Sequence, residues 1–521
     1  MFSRKQEPRC KRVLVVGAGA AGMACADSLS LHPDKFKVTL IDAQGYCGGQ
    51  AFSIPLPKSG PGSNAGAEWM NQGVQGGSHI YSHTFYQFRK FGYEAEPVDL
   101  QVSFGKGDKF WSNLFPTNLV ASHAKDIARF ESAVKWFRRL EVIWAVVPIK
   151  ISLKLWGLSE QFINYMIYPS LALFLGTGNA TPDLPTIMLE RLYTSPTYGM
   201  WYPIDNKSLS SNLPPMVVFP ETSAFYSKWQ KTLEDRGVRV KLNTELTTVL
   251  TRKPTVQVLL RPRRQQKDFH NPNDADEDLV PVREEFDEIV LCVLSDTAKR
   301  VLGKQATWFE RWVLGNARWS DDITVTHTDS EYIRKHYTVE FDESQAVEQL
   351  GGRDESSRIR KGRNEFQPMY MIAQEKDPRK LEMCFDCSAF QYQLDKHRPF
   401  EDHVFQTIFL DKNNAHLWTK EEISKDKIIR EDWWHQLCHS WTHYVSVVPF
   451  IGFLNRNKSH TTYAGSWTLV NAHEVAIISG MAAAYKLGAD YPKELREDTI
   501  GRRAMAAYLM LAHGLRLRGV V

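Results

Sequence analysis

The 521-residue chain is predicted to have an α/β fold, and three observations lead to this prediction. The first is the segment VLVVGAGAAG at 13–22, in which an apolar strand is followed by three glycines and the start of a helix-forming sequence. The second is another apolar strand at 37–41, which ends at Asp42. The third is a strand, a turn and a small-residue helix at 462–484. A strand, a glycine turn, a helix and a second strand form the βαβ unit of a Rossmann-type domain.

The first glycine turn predicts a dinucleotide site. Gly17 allows the tight turn, Gly19 lets the backbone approach a pyrophosphate, and Gly22 permits close helix-on-strand packing. The phosphates would then bind free N–H groups at the start of the helix. Asp42 follows Gly22 by about 20 residues, the spacing at which a carboxylate meets a ribose hydroxyl. The predicted contacts here are Gly17, Gly19, Ala20, Ala21, Gly22, Asp42 and Ala43.

Two more glycine-rich turns, at 43–51 and 71–77, indicate which dinucleotide is bound. A nicotinamide dinucleotide domain would not need them, whereas a flavin with its own diphosphate would use them. The helix that begins near His473 could direct its N-terminus at the anionic ring end of a flavin. His473 itself would either contact the flavin or form hydrogen bonds at the helix entry. We therefore expect FAD, with further contacts at Gly48, Gly49, Gln50, Gly73, Val74, Gln75, Gly465, Ser466 and His473.

On these motifs the chain resembles the superfamily of flavin-containing amine oxidases and phytoene desaturases, which also includes polyenoic fatty acid isomerases. In that superfamily an acidic residue and a Gly-Gly pair follow the first glycine turn, as Asp42, Gly48 and Gly49 do here. The resemblance covers both ends and the middle of the chain. It implies an FAD-dependent oxidoreductase.

Three further segments carry the resemblance. The segment 240–246 is similar to a mid-chain strand that lies against the adenine, which implies a cofactor contact at Leu246. The segment 286–292 matches a strand of the type D-x-V-V-x-A, and AGSWT at 464–468 corresponds to the C-terminal turn A-G-D-x-T.

The sequence also departs from the pattern of this superfamily. Tyr46 and Gln50 stand where arginines usually flank the Gly-Gly pair, and Ser466 replaces the acidic residue of the last turn. We therefore expect the FAD to be held mainly by backbone amides and the helix dipole. The cysteinyl link of some relatives needs a cysteine near the C-terminal turn, but the last cysteine is Cys438. The FAD is thus predicted to be non-covalent.

The positions of these motifs predict two interleaved domains. A Rossmann-type FAD-binding domain is expected from the segments 1–95, 215–305 and 455–521. The segments 96–214, which contains apolar helices, and 306–454 would then build a discontinuous second α+β domain that binds the substrate.

Composition fits a large soluble protein, with 43% hydrophobic and 24% charged residues. A net charge of +4 is too small at this length to indicate nucleic acid binding. Seven cysteines, an odd number, favour a reducing compartment such as the cytoplasm over a disulfide framework. The charged N-terminus leads directly into the first strand and is not expected to be a signal sequence.

Two other segments are predicted to be structural only. Cys384 and Cys387 form a single C-x-x-C in a strand-like run, without the context that a redox or zinc site needs. The segment 262–285 is basic, then acidic, and nearly free of apolar residues, which predicts an exposed hairpin or disordered loop.

Two apolar stretches, 140–158 and 162–175, indicate the class of substrate. Neither reaches the roughly 20 uninterrupted apolar residues of a membrane span, and Pro148 and Pro169 interrupt them. Buried core helices that line a large apolar pocket are the preferred interpretation. The alternative is an amphipathic surface that dips into a membrane to collect substrate, a peripheral contact. Both favour a lipophilic substrate.

His435, His439 and His443 recur at every fourth position and would share one helix face. The neighbouring residues are aromatic, and no carboxylate stands at the spacing of a further metal ligand. We therefore expect no metal but an aromatic wall of a core or pocket. The aromatic residues concerned are Trp433, Trp434, Trp441 and Tyr444.

The expected reaction is hydride abstraction from an activated C–H bond of a lipophilic substrate, either as desaturation or as oxidation. A double-bond isomerase that returns the hydride to a polyunsaturated fatty acid or polyene is a first alternative. An amine oxidase is a second, although no lysine can be assigned beside the flavin. A non-catalytic flavin- or lipid-binding protein is a third. The sequence identifies neither catalytic residues nor an oligomeric state, and it offers no nucleophile motif for hydrolysis.

Overall fold

The computed structural model describes residues 10–175, 179–205, 207, 209–210, 213–264, 279–348, 353–374, 377, 380–456 and 458–518. All elements given below lie within these ranges. The predicted exposed loop at 262–285 lies mostly outside them, since residues 265–278 are not described. The first nine residues, with the predicted charged N-terminus, also lie outside.

A five-stranded parallel sheet forms the centre of the dinucleotide-binding half. Its strands, in spatial order, are Arg239–Lys241, Phe36–Ile41, Lys11–Val16, Glu288–Leu291 and Thr461–Tyr463. All five fall within the three segments predicted to bind FAD. The middle strand is buried on both faces, which is why it reads as a continuous apolar run.

Helices cover this sheet, and two of them touch backbone to backbone. The helix Ala20–Ser30 crosses the helix His473–Leu487 where Gly480 faces Ala21. A Cβ atom on Gly480 would overlap the carbonyl oxygen of Ala21, so only glycine permits this crossing. The surrounding helices are Ser82–Lys90, Thr222–Asp235, Ser295–Leu302, Trp308–Gly315, Ile451–Asn455, Lys493–Glu497 and Thr499–His513.

A three-stranded antiparallel sheet adjoins the parallel one, with strands Thr244–Thr251, Val256–Pro262 and Val282–Phe286. The predicted single strand at 240–246 is therefore two strands. Arg239–Lys241 joins the parallel sheet, and the chain turns at Asn243, whose φ is +49°, before the next strand begins.

A seven-stranded mixed sheet forms the second half of the protein. Its order is Ile428–Cys438, Arg318–His327, Phe405–Phe409, Leu381–Asp386, Tyr370–Gln374, Val102–Phe104 and Trp111–Ser112. Two smaller sheets join the halves, one of Ala51–Pro55 and Trp69–Gly73, the other of Gly76–Ser78, Pro215–Val218 and Glu96–Asp99.

The helices of this second half come mainly from residues 118–194. They are Asn118–Ser122, Ala124–Arg139, Glu141–Trp144, Ile149–Leu155, Glu160–Phe162, the π-helix Ile163–Ile167, Tyr168–Leu175 and Thr186–Thr194. Later in the chain come Ser330–His336, Arg353–Glu365, Cys387–Phe390 and Trp441–Ser446.

The prediction that His435, His439 and His443 share one helix face is wrong. His435 lies in the strand Ile428–Cys438, and only His443 lies in a helix. This strand pairs with Arg318–His327 along nearly its whole length, a long-range pairing that overrides the local four-residue period.

The preferred interpretation of the apolar stretches as buried helices holds for 162–175 and is wrong for most of 140–158. Phe162, Met166 and Leu171 are buried. In the earlier stretch many apolar side chains are exposed, led by Val142 at 86% and Leu155 at 71%. Among the described residues, no helix combines the length and apolar character needed to cross a membrane.

Candidate functional site

The first glycine turn folds as predicted, and its three glycines differ in role. Gly17 has φ +99°, and a Cβ atom there would lie 2.7 Å from the Cys292 carbonyl oxygen. A Cβ atom on Gly22 would overlap the Gly17 carbonyl oxygen. At Gly19 the space is open, because the nearest atom to a Cβ is the Gly49 Cα at 3.9 Å. Gly17 and Gly22 thus serve the fold, and Gly19 leaves room for a ligand.

The start of the helix Ala20–Ser30 suits an anion. No side chain caps it, and its first turn carries no acidic residue. The N–H groups there and the helix dipole both favour a bound phosphate.

The second glycine turn contacts the first. Gly48 donates its N–H to the Ala18 carbonyl at 2.9 Å and forms an isolated bridge with Gly19. Gly49 has φ +61°, and a Cβ atom on it would lie 3.1 Å from the Gly19 Cα. The two predicted turns therefore meet backbone to backbone.

Asp42 joins the second strand to the first turn. Its carboxylate accepts the N–H of Ala18 at 2.6 Å and that of Gln44 at 2.8 Å. Burial raises the pKa of Asp42, and these two hydrogen bonds oppose the rise. The carboxylate therefore positions the turn, and its contact with a ribose stays a prediction, as does that of Ala43.

The predicted adenine contact, Leu246, is buried in the core and pairs with Leu260. The residues that form hydrogen bonds with Asp42 precede Leu246 in the sequence. Asp42 donates its N–H to the Lys241 carbonyl at 3.1 Å, and Thr244 donates its N–H to the Asp42 carbonyl at 2.7 Å. The segment 241–244 thus fixes this edge of the site.

Two arginines distant in sequence act on residues of these turns, and one of them, Arg430, is itself paired with Asp432 at 2.7 Å. Arg263 acts electrostatically on the Asp42 carboxylate, and Arg430 on the Tyr46 hydroxyl. The Tyr46 hydroxyl also donates to the Gly49 carbonyl at 3.2 Å. Sequence reasoning missed both arginines, because nothing local links them to these turns.

The third turn ties the dinucleotide-binding half to the seven-stranded sheet. Gly73 has φ +70°, and the Val74 N–H donates to the Gln50 carbonyl at 3.2 Å. The buried Gln75 amide donates to Gln406 in that sheet and accepts from the Gln391 amide at 2.7 Å. These hydrogen bonds hold the predicted residues 73–75 in one place.

The C-terminal turn also folds as predicted. Gly465, with φ +132°, donates its N–H to the Ser479 hydroxyl at 2.8 Å, and the Ser466 hydroxyl donates to the Asn471 side chain at 3.1 Å. Ala472 precedes the helix His473–Leu487 and offers no capping side chain. The first turn of this helix already carries the Glu474 carboxylate, so its N-terminus suits a further negative charge less well than that of the helix Ala20–Ser30.

His473 forms hydrogen bonds at the helix entry. Its Nδ1 meets the Thr84 hydroxyl at 3.0 Å and its Nε2 meets the Tyr226 hydroxyl at 2.6 Å. Burial lowers the pKa of His473 to about 4, so the ring is neutral at pH 7. These contacts are the hydrogen bonds at the helix entry that were predicted as one role of His473, and its contact with the flavin stays a prediction.

The adjacent Glu474 is a residue that sequence reasoning missed. Its carboxylate accepts the N–H groups of His83 and Thr84 at 3.0 and 2.8 Å, and it lies 2.7 Å from the His83 ring. Burial opposes its charge, but His83 and these amides hold the pKa of Glu474 below its ordinary value.

A cavity of about 730 Å³ lies between the two halves. Predicted cofactor residues line one end, namely Gln50, Gly73, Val74, Gln75 and His473, together with Ala472. Apolar side chains dominate the remainder, including Leu173, Phe174, Leu175, Met188, Leu192, Tyr370, Met383, Phe385, Ile408 and Trp434. Among the described lining residues Arg191 is the only arginine, and none is a lysine.

The predicted aromatic wall of a core or pocket is correct for Trp434, at the cavity, and for Trp433, in a core. Successive residues of a strand point to opposite faces, so Trp434 lines the cavity while Trp433 packs into a separate core. Trp441 and Tyr444 are not among the residues that line it, and the Tyr444 hydroxyl meets His439 at 3.0 Å. Within the described part of the chain, no three metal-ligating side chains converge.

The cysteines contribute no reactive group to this site. All seven are free, and Cys384 and Cys387 are buried. Burial raises the pKa of both thiols, which keeps them protonated and unreactive at neutral pH.

Comparison with known proteins agrees with this geometry. A model of the NAD(P)-binding Rossmann-like domain matches residues 15–87. No curated protein sequence matches the chain. The solved structures similar to it include a putrescine oxidase, at 12% identity with a TM-score of 0.58, over 92% of this chain and 98% of that one.

Two more solved structures are similar over nearly their whole length. A CLA-producing fatty acid isomerase from P. acnes has 15% identity and a TM-score of 0.55, over 93% of this chain and 99% of that one. Cyclohexylamine oxidase from Brevibacterium oxydans has 11% identity and a TM-score of 0.53, over 92% and 98%. The chain has their fold. The predicted α/β architecture with a Rossmann-type domain is confirmed.

Proposed function

We propose that the protein is an FAD-dependent oxidoreductase that removes hydride from an activated C–H bond of a lipophilic substrate. One observation carries this proposal. A single cavity is lined both by Gln50 and Gly73, from the second and third glycine turns, and by aliphatic and aromatic side chains. Such a cavity can hold a cofactor ring and an apolar substrate side by side.

The residues present fit FAD. Gly19 and Gly49 leave their facing backbones uncovered by side chains, beside a helix N-terminus that suits the pyrophosphate. Ala472, which precedes the helix His473–Leu487, lines the cavity where the ring would lie. Bound there, FAD would supply the hydride acceptor.

The chain itself would orient the substrate and exclude water. Phe174, Tyr370 and Trp434 cover the cavity with apolar surface, which favours a lipophilic molecule over a hydrated one. The Gln75 amide is fixed by Gln391 and Gln406, so it offers a rigid polar group beside the glycine turns. The neutral His473 adds no charge to this end.

Isomerisation of a double bond in a polyunsaturated fatty acid or polyene is the second candidate. The apolar cavity suits such a chain, and the fold similarity to a fatty acid isomerase spans 99% of that protein. In this case the hydride would return to another carbon of the same substrate.

Amine oxidation is a third candidate, because putrescine oxidase and cyclohexylamine oxidase share the fold of this chain. A small charged amine would lose its hydration in this cavity, with Glu474 already engaged by His83. We therefore rank amine oxidation below both reactions of lipids. A non-catalytic flavin- or lipid-binding protein ranks last, because all four cofactor turns keep their backbone geometry.

We further propose that the FAD is bound without a covalent link and that the protein works in the cytoplasm. Cys438, the nearest cysteine to the C-terminal turn in sequence, is buried and does not line the cavity. Cys292 lies closer in space, directly after the strand that pairs with Thr461–Tyr463, but it does not line the cavity either, and burial raises the pKa of its thiol. Seven free thiols agree with a reducing compartment.

Anaerobic mixing of the purified holoprotein with fatty acids and polyenes, followed by flavin absorbance, tests the proposal. Lasting bleaching would identify an oxidase or dehydrogenase. Turnover without lasting bleaching would identify the isomerase. Bleaching by short primary amines, with no response to any lipophilic compound, would overturn both and restore the amine oxidase.

A further inference from the structure

The helical half of the protein exposes an unusual number of apolar side chains between residues 140 and 155. We call this surface the apolar patch and define it by Leu140, Val142, Ile143, Val146, Ile151 and Leu155. Each is more than 40% exposed, and Val142 reaches 86%. A contiguous apolar surface of this kind marks an interaction site rather than a random exposure.

The patch is held rigidly from below. The ring of Phe137 is fully buried, and its centroid lies 4.7 Å from that of Trp144, within the patch segment, and 6.1 Å from that of Trp156, directly after it. The Ile149 N–H donates to the Leu184 carbonyl at 2.8 Å. The apolar side chains therefore project outward from a fixed support.

The charges around the patch indicate its partner. Residues 124–160 carry seven Lys and Arg against four Asp and Glu. Five of these cations are exposed, namely Lys135, Arg138, Arg139, Lys150 and Lys154. Of these, Lys135 pairs with Glu131 at 2.8 Å and Lys150 with Asp183 at 2.7 Å. Long basic side chains at the rim of an apolar surface reach lipid phosphates, while the apolar groups enter the headgroup region. A surface of this composition fits an anionic membrane.

The patch also adjoins the cavity. The helix Thr186–Thr194 packs on the helix Ala124–Arg139 and carries Met188 and Leu192, which line the cavity. From the same helix Arg191 donates to the Glu141 carboxylate, at the edge of the patch. One helix thus carries cavity-lining side chains and is bonded to Glu141, which stands in sequence between the patch residues Leu140 and Val142.

We infer that the apolar patch docks on an anionic lipid bilayer and brings the cavity to the membrane surface. The docking follows from the patch and its cations alone. The further statement, that the cavity takes its substrate from the bilayer, rests on the proposed function.

Sedimentation of the full-length protein with vesicles tests the docking. We expect binding to phosphatidylcholine vesicles that contain phosphatidylglycerol, and at least fivefold weaker binding to phosphatidylcholine alone or in high salt. Val142→Ser and Leu155→Ser, made separately, should each weaken binding at least threefold. Both side chains are so exposed that the fold should tolerate the change. Trp308→Ser, at a residue 71% exposed on the other half, is the matched control.

Equal binding of the Val142, Leu155 and Trp308 variants would overturn the proposal, as would equal binding to neutral and anionic vesicles. Analytical ultracentrifugation gives a third decisive result. If the wild type is a dimer that Val142→Ser dissociates, and vesicles do not bind, the patch is a contact between copies of this chain. The readout needs no turnover, so a failed oxidoreductase assay leaves the docking result intact.

Discussion

Gly19 and Gly49 face each other so closely that a Cβ atom on Gly49 would lie 3.1 Å from the Gly19 Cα. The two glycines belong to different turns, separated by a helix and a strand. Their contact leaves a shallow, side-chain-free surface of backbone. A diphosphate can approach that surface more closely than any surface covered by side chains.

Gly19→Val should abolish flavin binding and leave the fold intact. The space at Gly19 is open in the protein, so the added side chain fills only the position assigned to the pyrophosphate. Gly22→Val is the contrasting variant, because its Cβ atom would overlap the Gly17 carbonyl oxygen and unfold the turn. The ratio of flavin to protein absorbance and far-ultraviolet circular dichroism distinguish the two. Stoichiometric FAD in Gly19→Val would refute the assignment.

Gly480→Ala should destabilise the protein by about 3 kcal/mol, the upper range for overpacking. The added Cβ atom would overlap the Ala21 carbonyl oxygen and force two helices apart. Gly315→Ala is a matched helical control, because its Cβ atom would meet only the flexible Lys299 side chain. Thermal unfolding of both variants checks this. A melting temperature of Gly480→Ala close to that of Gly315→Ala would contradict the predicted crossing.

Acid precipitation should release all of the flavin into the supernatant. The cysteine beside the C-terminal turn, Cys292, has a thiol whose pKa is raised by burial, which keeps it protonated. The ring nitrogens of His473 are already hydrogen-bonded to Thr84 and Tyr226. Absorbance of the two fractions gives the result. A yellow protein pellet would instead direct a search for the attachment point to His460 and His473.

Phe174→Asp should weaken binding of a lipophilic substrate by about tenfold or more, because a carboxylate in the cavity loses its hydration. The flavin spectrum should stay unchanged, since other segments form the cofactor turns. Wild-type affinity should rise with acyl length, by about 0.8 kcal/mol per methylene group. Phe453→Asp, at an exposed phenylalanine that does not line the cavity, is the control. Equal substrate titration curves for the two variants would contradict the placement of the substrate.

Acid should destabilise the protein partly through Glu310. Burial favours its neutral form, but Arg252, the Thr307 amide and Tyr463 hydrogen-bond the carboxylate and lower its pKa to about 2 from an ordinary 4.5. The stabilisation is therefore complete above pH 4.5 and is lost as the pH falls toward 2, amounting to about 3 kcal/mol.

The variant Glu310→Gln checks this pH dependence by urea unfolding between pH 3 and pH 7. It should be less stable at pH 7 by about 3 kcal/mol, because Arg252 loses its buried partner. Its loss of stability toward low pH should also be smaller than that of the wild type. Glu131→Gln, which removes an exposed pair with Lys135, should change neither quantity. Parallel pH curves for wild type and Glu310→Gln would be the contrary result.

The cofactor turns could be predicted from the sequence because each rests on a local requirement. A left-handed backbone at Gly17, Gly49, Gly73 and Gly465 favours glycine wherever it occurs, so the glycines mark the turns. The buried strands on either side appear as apolar runs for an equally local reason. These features fixed the Rossmann-type half in advance.

The second half of the protein was harder to predict, because its arrangement depends on long-range pairing. Trp433 and Trp434 have the same chemistry, and only the register of their strand against Arg318–His327 decides which one lines the cavity. Periodicity likewise could not show that Val142 would face solvent, since an apolar residue fits a core or an interface equally well. The electrostatic effect of Arg263 on Asp42 could not be predicted either, because only the folded chain brings these distant residues together.

The parallel sheet described above takes its last strand, Thr461–Tyr463, and its covering helix, His473–Leu487, from the end of the chain. During translation the first strand and glycine turn emerge early, yet the strand Glu288–Leu291 that pairs with the first strand is synthesised much later, and Thr461–Tyr463, which pairs with that strand, later still. Most of the polypeptide must therefore be synthesised before the parallel sheet can be completed. If the protein binds FAD as proposed, we expect a nascent chain that stops before residue 461 not to retain it.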